Sequence, residues 1–194
     1  MAKLLIDTNI ISVAYLPNAP KWLWDWLESL PAGLLAVPWT AIYETEYGIR
    51  TAQRHNPRRA LELLAWFDSF VADCDTYPDM NVDASRLLGK MASSPALRHF
   101  FITEERKNKN GEVLEPLHVK LGCDVILAAL SIAHRIPIAT FNTRDFVFID
   151  RHFPLPGVYD PQFDCWHVPP SLEWATAGHA NDDDQDAPLR RFSR

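Results

Sequence analysis

The chain contains no apolar run approaching the roughly 20 residues that a membrane-spanning helix needs, so a soluble, cytoplasmic protein is the expectation. Its start, MAKLLIDTNI, does not read as a secretory leader, because Asp7 interrupts an apolar stretch already too short for one. Cysteine is scarce. Cys74, Cys123 and Cys165 are odd in number, widely spaced and absent from any CxxC pair, which excludes a disulfide framework and a thiolate zinc site. Cys123, beside Asp124 in an apolar stretch, reads as a small core residue. The 7 histidines include no HExxH spacing, no pattern supports a serine or cysteine nucleophile, and there is no internal repeat. Positive charge is also short: 19 Lys and Arg stand against 25 Asp and Glu, a net of −6. That balance argues against a simple basic nucleic-acid surface. The tail from Ala175 to Arg194 does not explain it, since Asp182, Asp183, Asp184 and Asp186 are nearly offset by Arg190, Arg191 and Arg194. Clustered carboxylates would explain more, because bound divalent cations cancel their charge.

What is present is ordinary for a globular domain: 194 residues, 47% hydrophobic and 23% charged, enough for one full core. Residues 3–7 read as a short buried strand ended by a polar turn at DTN, with Ile10 and Ile11 apolar again. WLWDWLESL reads as a helix closed by Pro31 and Gly33, and residues 34–37 as a second buried strand. Thr40 is placed as the N-cap of a helix from Ala41 to about His55. Pro57 opens another, with Leu61, Leu64, Ala65 and Phe67 on one face. FVADC (70–74) is a strand candidate, and 81–92 a short helix. The polar stretch from Ser93 to Leu121 carries a hairpin signature with an Asn-Gly turn, or is a mobile loop. Gly122 then precedes the helix DVILAALSIAHR, IPIAT (136–140) is a buried strand, and NTRDF a turn. Short apolar strands alternating with helices indicate a parallel sheet covered on both faces, whose ligands bind at the strands' carboxyl ends.

Acids gather there. Asp7 ends strand one, Glu44 lies in the first turn of the helix after strand two, and Asp145 lies just past IPIAT. Asp124 opens its helix, but the strand before it is not identifiable. Like charges at close range raise one another's pKa, and four carboxylates together call for a cation. Oxygen-only donors select Mg²⁺ or Mn²⁺ over zinc. Each acid alone is more readily explained as a turn or cap residue than as a catalytic one; the combination is stronger than the parts. Glu46 competes with Glu44, but two residues along a helix is about 200° around it, so both cannot point inward.

Three stretches, LLIDTNIIS, TAIYETEYGI and CDVILAALSIAHRIPIATFNTRDF, resemble in order and separation the motifs of the PIN-domain family, and within it the VapC-type toxins of toxin–antitoxin pairs. The resemblance spans Ala2 to about Asp150. It implies a Rossmann-like three-layer α/β/α sandwich with a central parallel sheet, Mg²⁺ or Mn²⁺ dependence, and endonucleolytic cleavage of RNA. It implies Asp7, Glu44, Asp124 and Asp145 as metal-binding and catalytic acids. Asn142 and Asp145 occupy alternative places for the last acid, and Asn9, Thr140 and Asn142 are supporting residues. Domain limits of 1–174 follow, with an insertion at about 93–121 and a disordered tail over 175–194.

Arg50, Arg54, Arg58 and Arg59 lie beyond Glu44, and a solvated face is as good a reading for them as a guide for RNA; Arg50 and Arg54 are the nearest to the acids. Trp22, Trp24 and Trp26 on one short helix suggest packing or an interface, hence a homodimer. An antitoxin helix could anchor beside the acids on Ile10, Ile11 and Tyr43, with a basic side chain among the carboxylates; the alternative is that these three belong to the core, a reading at least as good for Ile10. The competing functions are a PIN-like nuclease of RNA processing or DNA repair with no antitoxin, and a PIN-fold binding module without catalysis.

Overall fold

The computed structural model describes residues 2–74, 76–108, 110, 113–115 and 117–177. The tail beyond 177 and Gly111 of the expected Asn-Gly turn lie outside the described residues.

Strand β1 (Leu4–Ile6) is the hub. It pairs in parallel with β2 (Leu35–Ala36) on one side and β7 (Ile138–Ala139) on the other. Beyond β7 lie β8 (Val158–Asp160), parallel, and β9 (Cys165–Val168), antiparallel, giving the order β2-β1-β7-β8-β9. The expected central parallel sheet is therefore a mixed one, because the chain past Pro154 adds an antiparallel edge strand.

The period-2 alternation of strand side chains divides the core. Leu4, Ile6, Leu35, Val37 and Ala139 join one apolar cluster, while Leu5, Ala36, Ile138 and Val158 join the other. Helices α1 (Thr8–Ala14), α2 (Lys21–Ser29), α3 (Trp39–Gln53) and α4 (Pro57–Ala72) cover the first face. Helices α5 (Val82–Ala92), α6 (Arg98–Phe101), α7 (Cys123–His134) and α8 (Thr143–Asp150) cover the second. The result is a three-layer α/β/α sandwich.

Several local expectations are corrected. The DTN turn is the entry to α1, which forms because Ile10, Ile11 and Ala14 bury one face. Pro38, extended at ψ 148°, takes the N-cap position of α3, so Thr40 is a buried residue inside the helix and caps nothing. Pro57 does open α4, with the Asn56 side chain accepting from the Arg59 amide at 3.1 Å. Its buried face is Ala60, Leu63, Phe67 and Phe70; of the expected face Phe67 is buried and Leu64 packs partly against the core, but Leu61 is exposed. FVADC forms no strand: Phe70 to Ala72 close α4, an apolar run whose length cannot separate strand from helix end. NTRDF begins α8. The tryptophans of α2 meet rings of their own chain, Trp22 with Phe141, Trp24 with Trp66 and Trp26 with Tyr159, at 5.9, 6.5 and 6.2 Å between centroids.

The Ser93–Leu121 stretch contains α6 and an antiparallel ribbon. In it β3 (Ile102–Thr103) pairs with β6 (His118–Val119), and β4 (Arg106–Lys107) with β5 (Val113–Glu115). Its return strand leads directly into α7. A last helix, α9 (Leu172–Ala177), follows β9.

Candidate active site

From β1 the chain turns to β2 on one side, then crosses back to β7 on the other. The strand order reverses between β1 and β7, and a crevice opens at their carboxyl ends, the usual ligand position in such sheets. Asp7 follows β1 and Thr140 follows β7 at that crevice. The Asp7 amide continues the ladder to Ala139 O at 3.0 Å, which fixes its side chain at the sheet edge.

Asp7 is buried, with 6% exposure. Its Oδ2 accepts from Thr140 Oγ1 and from Asn9 Nδ2, both at 2.7 Å. Thr140, fully buried, also accepts from Asn9 Nδ2 at 3.0 Å and from the Asn142 amide at 2.8 Å. Asn9 Oδ1 accepts from the Phe141 amide at 3.2 Å. This network ties β1 to β7 through Asp7, and places Asn9 and Thr140 in contact with the carboxylate. Burial, relieved partly by Thr140, and the charges of Asp124 and Glu44 push Asp7 up to about 7.

Glu44 stands in the second turn of α3 rather than the first, because the helix starts two residues earlier than expected, at Trp39. Thr8 Oγ1 donates to its Oε2 at 2.7 Å. Glu46 turns away and pairs with Arg50 at 2.7 Å. Asp124 sits in the first turn of α7 behind Gly122, whose φ of 73° is left-handed. Burial, then the charges of Asp145 and Glu44, push Asp124 up to about 6, with Lys120 opposing. Asn142 Nδ2 donates to Asp145 Oδ2 at 2.9 Å, so the two alternative residues of the last motif act as a pair.

The fold thus brings all four acids to one place. Glu44, Asp124 and Asp145 line a cavity of about 580 Å³ together with Tyr43, Tyr47, Lys120 and Cys123, and Asp7 lies within electrostatic reach of Asp124 and Glu44. Among the described residues no group of three or more His, Cys, Asp or Glu side chains is arranged, as it stands, to hold a metal ion.

Cys123 is not a core residue but half-buried in this wall. Burial first, then Glu44, push its thiol up to about 12, which keeps it protonated. Arg50 is engaged by Glu46, Arg54 is exposed at the end of α3, and neither lines the cavity. Ile10 and Ile11 are core residues at 0% and 1% exposure and offer no anchor to a partner, whereas Tyr43 is 48% exposed. Sequence reasoning missed Thr8, Lys120 and Tyr47. The i,i+4 spacing of Tyr43 and Tyr47 marked a shared helix face; for Lys120 there was no periodic cue.

Three solved structures share this architecture. VapBC2 from Rickettsia felis, bound to a DNA fragment from the promoter, aligns over 81% of this chain and 97% of its own at 17% identity, with a TM-score of 0.56. VapBC-1 from nontypeable Haemophilus influenzae aligns over 82% and 98% at 18% identity, TM-score 0.54. DNA-bound VapBC from Salmonella typhimurium aligns over 83% and 99% at 16% identity, TM-score 0.52. The fold is PIN-like. No protein-family model and no curated protein sequence matches the chain. In this PIN-like fold the acids occupy the switch point of the sheet. No helix among the described residues is long and apolar enough to cross a membrane.

Proposed function

We propose that the protein is a metal-dependent endoribonuclease, the toxin of a toxin–antitoxin pair. The observation that carries this reading is the burial of Asp7 at the sheet's switch point within reach of the Glu44 and Asp124 charges. A fold that only needed stability gains nothing by raising two carboxylates toward neutrality, so their placement favours a site that binds positive charge. The donor set is oxygen only and suits Mg²⁺ or Mn²⁺, held by Asp7, Glu44, Asp124 and Asp145. When bound, such ions supply an activated water and charge neutralisation at phosphorus. Asn9 and Thr140 hold the Asp7 carboxylate in place, Thr8 holds Glu44, and Asn142 holds Asp145.

Exposed Tyr43 and Tyr47 stack on one another at 6.2 Å beside Glu44. They offer a surface for unpaired bases, which favours single-stranded or loop RNA. Incubation of labelled single-stranded RNA with the protein in Mg²⁺ or Mn²⁺ should give internal cleavage that EDTA stops and that Asp7→Asn reduces by orders of magnitude. Full activity in EDTA would sink the metal mechanism.

The structural likeness to VapBC complexes favours a partner protein over a free-standing processing nuclease. An antitoxin segment would lie over the same cavity, anchored on Tyr43, Tyr47 and Leu121, with a basic side chain facing the carboxylates. Expression of this chain alone should arrest growth, and the neighbouring reading frame should relieve it. Growth unaffected by the intact chain, with no complex on co-purification, would favour the processing reading. A two-fold homodimer belongs to the same proposal, and light scattering that gives a single-chain mass at high concentration counts against it.

A further inference from the structure

A second cavity, about 380 Å³, lies against the other side of α8. It is lined by Thr143, Arg144, Val147, Phe148, Arg151 and His167. Arg144 and Arg151 are seven residues apart, two helical turns, so they project from nearly the same face, about 10 Å apart along the axis. His167 reaches the cavity from β9. Both arginines are exposed, and neither has an acidic partner among the described residues.

That sets them apart from most basic residues of the early helices, exposed Arg54 excepted. Lys21, Arg50, Arg58 and Arg59 each pair with a carboxylate on their own helix. The acids nearest the second cavity are otherwise engaged. Asp160 is 5% exposed, with Oδ1 accepting from the Gln162 amide and Oδ2 3.8 Å from His167 Nε2. Asp150 Oδ1 accepts from the Leu155 amide at 2.8 Å. In a chain of net charge −6, two unpaired arginines and a histidine around one concavity are a local reversal of sign.

The two cavities flank the first turn of α8. Asp145 lines the acidic one, and the two residues before it, Thr143 and Arg144, line the basic one. A polyanion held at the acids and continuing over this turn meets the arginines next. We propose that Arg144, Arg151 and His167 form a subsite for the phosphodiester backbone of single-stranded RNA, on the strand flanking the bond held at the acidic cavity. The subsite rests on the ribonuclease reading above and extends it. Guanidinium groups suit the role, since their planar forks bind phosphate oxygens without fixing the base.

The test is fluorescence anisotropy of a labelled 12-nucleotide single-stranded RNA with the full-length protein in EDTA, over a series of salt concentrations. Cleavage of the same RNA and of a dinucleotide is measured in parallel with Mg²⁺. R144A/R151A should weaken binding of the 12-mer about tenfold or more. It should flatten the slope of log affinity against log salt by about 1.4, two phosphates at about 0.7 each for a single strand. Cleavage of the dinucleotide, too short to span both cavities, should stay within about twofold, which also shows that the variant is folded. R144K/R151K should recover the salt slope. Arg58→Ala, on a distant helix, should change nothing. A double alanine variant with unaltered affinity and slope overturns the subsite and leaves the nuclease reading standing. Failure of the unmodified protein to bind or cleave any RNA removes both.

Discussion

Asp7 holds a carboxyl group at about 7 in a place where its unfolded counterpart would titrate near 3.8. The native state therefore keeps a proton that the unfolded chain releases, and stability falls as pH rises between those two values. Each unit of difference is worth about 1.4 kcal/mol, so the destabilisation above neutral pH is of the order of a few kcal/mol. In EDTA, Asp7→Asn should melt higher than the unsubstituted protein at pH 8 and close to it at pH 4. Thermal melts across that range check this; a variant that is much less stable at pH 8 would assign Asp7 a structural role. Thr140→Val should do the opposite of Asp7→Asn, since it removes the buried donor that steadies the carboxylate. A stability loss of about 1–3 kcal/mol is expected, together with a weaker metal requirement profile in the cleavage assay.

At the scale of elements, α3 presents Glu44 toward the acids and the Tyr43–Tyr47 pair toward solvent. Tyr43→Ala with Tyr47→Ala should leave the melting temperature within a few degrees and cut affinity for single-stranded RNA by about 1–3 kcal/mol for each stacked base lost. Equal affinity of variant and parent would show that no base stacks there. The elements also show what could be read in advance. Strands β1, β2 and β7 were legible because each is a short apolar run bounded by breakers, and the sites of Asp7 and Asp145 followed from connectivity. Helix α1 was not, since TNIISVA is rich in residues of low helix propensity and forms a helix only by burying Ile10 and Ile11. The position of Asp124 was not legible either. The chain enters α7 from an antiparallel ribbon rather than from a strand of the main sheet, and no local pattern encodes that approach.

For the molecule as a whole, the excess of acid and the acidic cavity predict, on the proposed metal-binding role, a stability that depends on divalent cations. Mg²⁺ or Mn²⁺ at millimolar concentration should raise the melting temperature at pH 8, by ligand linkage. The rise should be largely absent in Asp7→Asn and Asp124→Asn, and a rise equal to the parent's in both variants would place the ion elsewhere.

Gly122 joins the ribbon to the helix that carries Asp124. A Cβ there would collide with the Phe101 ring, in a left-handed backbone. The Lys120 amide bonds Phe101 O at 2.7 Å just before it. The ribbon is thus a lever clamped at its root. Changes in length beyond the β3–β6 pairing would leave the clamp at Phe101 and Gly122, and with it the acid, where it is. One residue inserted between Lys120 and Cys123 would slide the clamp and swing Asp124 away from its neighbours. Length variants of this protein should therefore sort by position rather than by size: long changes at the tip tolerated, a single residue at the root not.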